Sequence, residues 1–152
     1  MKELDFGDDV LSTPGHLISL AARSYARLSE RRLKPLGFGV GQLPILVALQ
    51  ERQGMSQQAL ARFARIEQPS MAQTLARMER DGLVERKADP ADRRSSQVVL
   101  TADAMQRLPR ACAELFSGNR ESLYGFSAAE AGQLTDMLAR LILNLDRILE
   151  EE

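Results

Sequence analysis

The chain has 152 residues, 44% of them hydrophobic, which fits one domain, or a small domain with an appended helical part, and excludes a chain too polar to build a core. Its formal net charge of −1 supplies no global basic field, so any affinity for nucleic acid has to come from a local patch. The acidic start, Met1-Lys2-Glu3-Leu4-Asp5, lacks the apolar run of a signal peptide, and no stretch approaches the roughly 18 apolar residues of a membrane span; a soluble, cytoplasmic protein with no membrane partner is expected.

In chain order, Pro14 opens the first predicted helix, since proline suits a first helical turn, and the helix runs to about Lys34. Leu17, Leu20, Ala21, Tyr25 and Leu28 recur at helical spacing, while Arg23, Arg27, Glu30 and Arg31 fall mostly elsewhere. Pro35 and Gly37 end it. A second helix follows Gly39 and turns Leu43, Leu46, Val47 and Leu49 inward; Pro44, which has no backbone donor, is expected to bend it near its start. Ser56 reads as the N-cap of a third helix carrying Leu60, Ala61 and Phe63. After a turn at Arg65-Ile66-Glu67, Pro69 opens a fourth helix at its first position. Met71, Leu75 and Met78 give that helix one buried face, opposite Ser70, Gln73, Thr74 and Arg77, and Gly82 closes it in a left-handed cap.

Residues 83–88 and 97–100 then read as the two arms of a hairpin around Asp89-Pro90-Ala91-Asp92-Arg93-Arg94-Ser95-Ser96. Thr101 can cap a fifth helix to about Leu123, and Pro109 should kink it or force a late start. The last helix begins at the capping box Ser127-Ala128-Ala129-Glu130 and carries Leu134, Met137, Leu138, Leu141, Ile142, Leu145, Ile148 and Leu149 as a broad apolar stripe. So wide a stripe exceeds what one small core needs. Packing on the chain's own first helix would use part of it; burial of the first, fifth and sixth helices against a second subunit accounts for it better.

Helix-turn-helix followed at once by a basic β-ribbon is the pattern of a winged-helix DNA-binding module, in which one helix enters the major groove and the ribbon tip reaches the backbone or minor groove. The expected fold is therefore mainly α with a small β-ribbon: a winged helix-turn-helix over residues 36–100, between an N-terminal dimerisation helix in 1–35 and C-terminal dimerisation helices in 101–152. Gln pairs bidentately with adenine, Arg with guanine, and Ser or Thr with base edges or phosphate, so Gln68, Ser70, Gln73, Thr74 and Arg77 are candidate contacts on the fourth helix. Arg86, Arg93 and Arg94 are candidates on the ribbon, with Asp92 placed to orient one tip guanidinium. An arginine projected into a narrow minor groove meets concentrated negative potential. Any surface helix carries polar residues and any turn is solvated; the succession of elements is what favours the DNA reading.

No Ser-His-Asp or Cys-His set, Gly-rich phosphate loop or metal motif is visible, so neither an enzyme nor a cofactor is expected. His16 and Cys112 stand alone as a histidine and a cysteine; Cys112, spaced from Leu108 and Leu115 as on a helix, reads as a small buried hydrophobe rather than a redox switch. The competing reading is a winged-helix protein-interaction module without DNA binding, against which the retained Arg86, Arg93 and Arg94 argue.

The ribbon Asp92-Arg93-Arg94-Ser95-Ser96-Gln97-Val98-Val99-Leu100-Thr101 resembles the wing motif of the MarR family of bacterial regulators. Residues 66–70, 78–86 and 125–130 resemble its SlyA-like branch, and the likeness covers the chain from about His16 onward. The resemblance implies a homodimeric regulator, commonly a repressor, reading a palindromic double-stranded operator. It also implies Arg94 as the minor-groove arginine, Asp92 as its orienting partner, and Ser70, Gln73 and Thr74 against bases and phosphates. Gln73 stands where many relatives have arginine, so no operator sequence carries over. A small aromatic or phenolic effector bound between the dimer and DNA-binding parts is implied as well, with His16, Leu20, Arg23, Leu43, Leu46 and Leu108 as candidate lining.

Overall fold

The computed structural model describes residues 9–89, 91, 92 and 95–151. It forms two compact units, residues 1–116 and 117–152.

In the first unit, α1 (Pro14–Leu33) starts at Thr13, whose hydroxyl accepts from the His16 amide. A short 3-10 turn (Lys34–Leu36) and Gly37, at φ +78°, lead into α2 (Gln42–Arg52). The Gln42 side chain reaches back to accept from the Gly39 amide at 2.6 Å and secures that entry. Pro44 falls in the first turn of α2, where no intrahelical donor is required, so the helix accommodates it. Ser56 caps α3 (Gln57–Ala64) as expected, accepting from Ala59 N. The next helix, α4 (Gln68–Arg80), begins one residue before Pro69. It ends in a Schellman arrangement: Gly82 takes φ +68°, Leu83 N donates to Met78 O at 2.9 Å and Gly82 N to Glu79 O at 3.1 Å.

Strands β1 (Val84–Ala88) and β2 (Ser96–Leu100) pair antiparallel, with Val84 opposite Leu100 and Ala88 opposite Ser96. Met55 adds a bridge to Val98, exchanging both backbone bonds at 3.0 and 2.8 Å. The hairpin root is thus tied to the residue just before the α3 cap. Gly54 permits that approach: it holds φ +130°, and a Cβ there would stand 2.9 Å from Gln97 Oε1.

The core gathers Leu33, Leu43, Leu46, Leu49, Leu60, Met71, Leu75, Met78, Leu83, Val98 and Leu108, all at most 2% exposed. Phe63 stays outside this core: it is 43% exposed, with the Arg52 guanidinium 5.7 Å from its ring centroid. The fifth helix, α5 (Ala102–Ser122), starts directly after Thr101, whose hydroxyl accepts from Ala104 N, and runs through Pro109 without a late start.

In the second unit, the end of α5 leads through Gly125, at φ +85°, to α6 (Ala128–Glu151). The capping box forms as its chemistry dictates: Glu130 N donates to Ser127 Oγ, and Ser127 N donates to Glu130 Oε2. The Ser127 amide and the Ser127 hydroxyl both donate to the Glu130 carboxylate and hold its pKa below the ordinary value. No residue of α6 is buried; Met137, Ile142, Leu145, Ile148 and Leu149 are between 45% and 70% exposed.

Candidate nucleic-acid interface

Between α3 and α4 the chain turns at Arg65, which adopts a left-handed φ of 55°. Ile66 N donates to Ala61 O and Arg65 N to Arg62 O, so the turn satisfies carbonyls that the short helix α3 leaves open. The buried stripe Met71, Leu75 and Met78 then fixes the rotation of α4 about its axis. That rotation leaves Gln68, Ser70, Gln73 and Arg77 exposed. Thr74 is half-buried, and its hydroxyl donates to Ser70 O at 3.0 Å. It lines a depression of about 470 Å³ with Val40, Pro44, Ile45, Phe63 and Ile66. Ser70, Gln73 and Arg77 therefore share the solvent face, Thr74 stands at its edge, and Gln68 is exposed as the first residue of the helix.

The ribbon beyond α4 is closed by Asp89. Its carboxylate accepts from Ala91 N at 2.8 Å and from Gln97 Nε2 at 3.2 Å, and these bonds pull its pKa below the ordinary value. Ser95 N donates to Asp92 O, and Asp89 N to Ser95 O. The Asp92 backbone thus helps set the turn, whereas Arg93 and Arg94, expected to carry the tip contact, lie outside the described residues.

Arg86 is placed unlike a bare phosphate ligand. Its Nε donates to Glu79 Oε1 at 2.9 Å and its Nη2 to Gln57 Oε1 at 3.2 Å. Neither Glu79 nor Gln57 was among the residues picked out by type. The available signal was the spacing of Glu79 and Arg86 across a glycine-closed turn.

The expected effector lining is split. His16, Leu20 and Arg23 lie along α1, with Leu20 44% exposed. Leu43, Leu46 and Leu108 are 2%, 0% and 1% exposed, packed in the core, so they do not face an open cleft. A concave surface of about 520 Å³ opens elsewhere, at Pro35, Leu36, Gly37, Gln106, Arg107 and Arg110. Cys112 packs against the core, and burial pushes its thiol upward. Among the described residues no group of three or more His, Cys, Asp or Glu side chains could hold a metal, and no helix is long and apolar enough to cross a membrane.

A short helix, a tight turn, a second helix with a polar outer face and a hairpin rooted beside them define a winged-helix protein of the DNA-binding type. Residues 40–96 match the model of the MarR family. The transcriptional regulator PA3341 is 30% identical, with 88% of this chain and 98% of that one covered at a TM-score of 0.74. A MarR transcriptional regulator from Methanosarcina mazei Go1 is 25% identical over 88% and 96% of the two chains, with a TM-score of 0.79. The fold is shared also with the repressor CouR bound to a 23-mer DNA duplex, at 23% identity over 92% and 99% of the chains and a TM-score of 0.81. The chain belongs to the MarR family of transcriptional regulators.

Proposed function

We propose that the protein is a homodimeric, sequence-specific transcription regulator, acting as a repressor, that reads a palindromic operator. In this reading α4 enters the major groove and the ribbon reaches the minor groove. The observation that carries it is the outer face of α4, where Ser70, Gln73 and Arg77 stand exposed on a helix whose rotation is fixed by three buried residues, Met71, Leu75 and Met78, with Gln68 exposed at its start. Side chains held on a rigid element can discriminate base edges; the same side chains on a mobile loop would not. Arg93 and Arg94, with Asp92 orienting one of them, are proposed to supply the minor-groove contact.

Dimerisation is proposed through α1, α5 and α6. The unburied apolar side chains of α6 support it, because so many exposed apolar residues on a terminal helix are costly unless a partner covers them. Two copies should then present their α4 helices to successive major grooves about 34 Å apart. A small aromatic or phenolic effector is proposed to act on the α1 face that bears His16, Leu20 and Arg23. The protein performs no catalysis and works in the cytoplasm.

Selection of bound sequences from a pool of random duplexes tests this reading. Enrichment of a palindrome with half-sites about one helical turn apart is expected; recovery of unenriched sequences would favour a protein-interaction module instead.

A further inference from the structure

We propose that Arg86 is a positioning residue, bracing the ribbon against α4, and is not itself a phosphate contact. The inference rests on the DNA-binding reading above. Arg86 stands on β1 opposite Val98, and two edges of its guanidinium are committed, to Glu79 at 2.9 Å and to Gln57 at 3.2 Å. Gln57 Nε2 donates onward to Gln68 Oε1 at 3.4 Å. Gln68 opens α4 and Glu79 lies in its last turn, so one ribbon side chain is tied to both ends of the helix that faces the solvent with Gln73 and Arg77.

The charge arrangement opposes a phosphate at Arg86. An incoming phosphate would meet the Glu79 carboxylate beside the guanidinium, and the attraction to one would be offset by repulsion from the other. The pair is also about one-third exposed on each side, a setting in which ion pairs add little to folding stability. Orientation is where it acts. The planar fork of arginine can serve Glu79 and Gln57 at once, which a lysine ammonium cannot do with the same geometry.

Leverage makes the orientation matter. From Arg86 to Asp89 is three residues, about 10 Å along the strand, so a swing of about 10° at Arg86 displaces the ribbon end by about 2 Å. A hydrogen-bonded groove contact does not survive a displacement of that size.

The two roles give opposite signs for Glu79→Gln. If Arg86 contacted phosphate, removing the neighbouring carboxylate would release the guanidinium and tighten DNA binding. As a brace, Glu79→Gln should weaken binding in parallel with Arg86→Gln, each by about fivefold or more, the worth of one lost hydrogen bond.

The experiment measures binding of the wild type, Arg86→Gln, Glu79→Gln and the charge-swapped pair Arg86→Glu with Glu79→Arg to the selected palindromic duplex across a range of salt. The expected result is weaker binding by both single variants, with salt slopes that change in parallel because both misplace the same ribbon contact, and partial recovery in the swapped pair. Tighter binding by Glu79→Gln, with a slope reduced by about 0.9 in Arg86→Gln alone, would overturn the proposal. A second readout needs no DNA. Spin labels on cysteines replacing Gln73 and Ser96, in a Cys112→Ala background, should give a distance distribution that broadens in both single variants. An unchanged distribution would overturn the brace even if the wild type bound no DNA, a result that by itself would sink only the DNA-binding reading.

Discussion

The guanidinium of Arg107 lies over the ring of Phe38, its central carbon 5.2 Å from the ring centroid. Nη1 also donates to the Leu36 carbonyl at 3.0 Å, and Nη2 pairs with Asp103 at 2.6 Å, so α5 is fastened to the turn between α1 and α2. The arginine fits because residue 37 is glycine: at φ +78°, a Cβ there would stand 2.6 Å from Nη1. Gly37→Ala should cost about 1–2 kcal/mol through left-handed backbone strain and displacement of the guanidinium. Arg107→Ala should cost about as much, through a lost carbonyl bond and a lost cation–π contact. The double variant should lose less than the sum, because both changes break one contact. Urea unfolding midpoints check this, and strictly additive losses would show that the two residues act independently.

The Asp89 carboxylate closes the ribbon turn through Ala91 N and Gln97 Nε2, and these bonds hold its pKa below the ordinary 3.8. A lowered folded value means the bonds act in full above the unfolded value and are lost as pH falls through the folded one. The Ala91 amide and the Gln97 side-chain amide should therefore titrate together in NMR spectra with a midpoint below 3.8, and a midpoint above it would contradict the assignment.

Gln73 is exposed on α4 with its neighbours Met71 and Leu75 buried, so its side chain has a fixed point of departure. If it reads adenine, Gln73→Ala should relax discrimination at one base pair in each half-site by about 1–3 kcal/mol. Competition with single-base-pair variants of the selected duplex measures this. Equal weakening across all variants would mark a phosphate contact instead.

On α6, Ile142 and Leu145 are 45% and 49% exposed on the apolar stripe. Replacing both with aspartate should convert the proposed dimer into monomers in sedimentation equilibrium, and should reduce DNA affinity by removing one half-site from each complex. A variant that remains dimeric would move the interface away from this stripe.

Short-range chemistry was legible in the sequence. Ser56, Gly82 and the Ser127–Glu130 box all do what their types and spacings imply, because caps depend on residues within one turn. Phe63 keeps helical spacing with Leu60, yet α3 buries only Leu60 and Ala61, a distinction that spacing alone does not make. Pro109 delays nothing, since Thr101 caps α5 well upstream of it. Periodicity identified Leu43 and Leu46 as inward-facing but carried no information on whether they and Leu108 line a cleft or sit in the core; all three belong to the buried core cluster. The Arg86–Gln57 bond and the Met55–Val98 bridge depend on how distant segments meet, which no local pattern specifies.

The central claim, that the exposed face of α4 and the ribbon read DNA, is tested most directly by titrating the purified protein against the selected palindromic duplex at two salt concentrations, with scrambled duplex alongside. Tight binding at two subunits per site is expected, with strong preference for the palindrome and a steep loss of affinity at higher salt as phosphate contacts release counterions. Weak binding that does not distinguish the palindrome from the scrambled duplex would contradict the account.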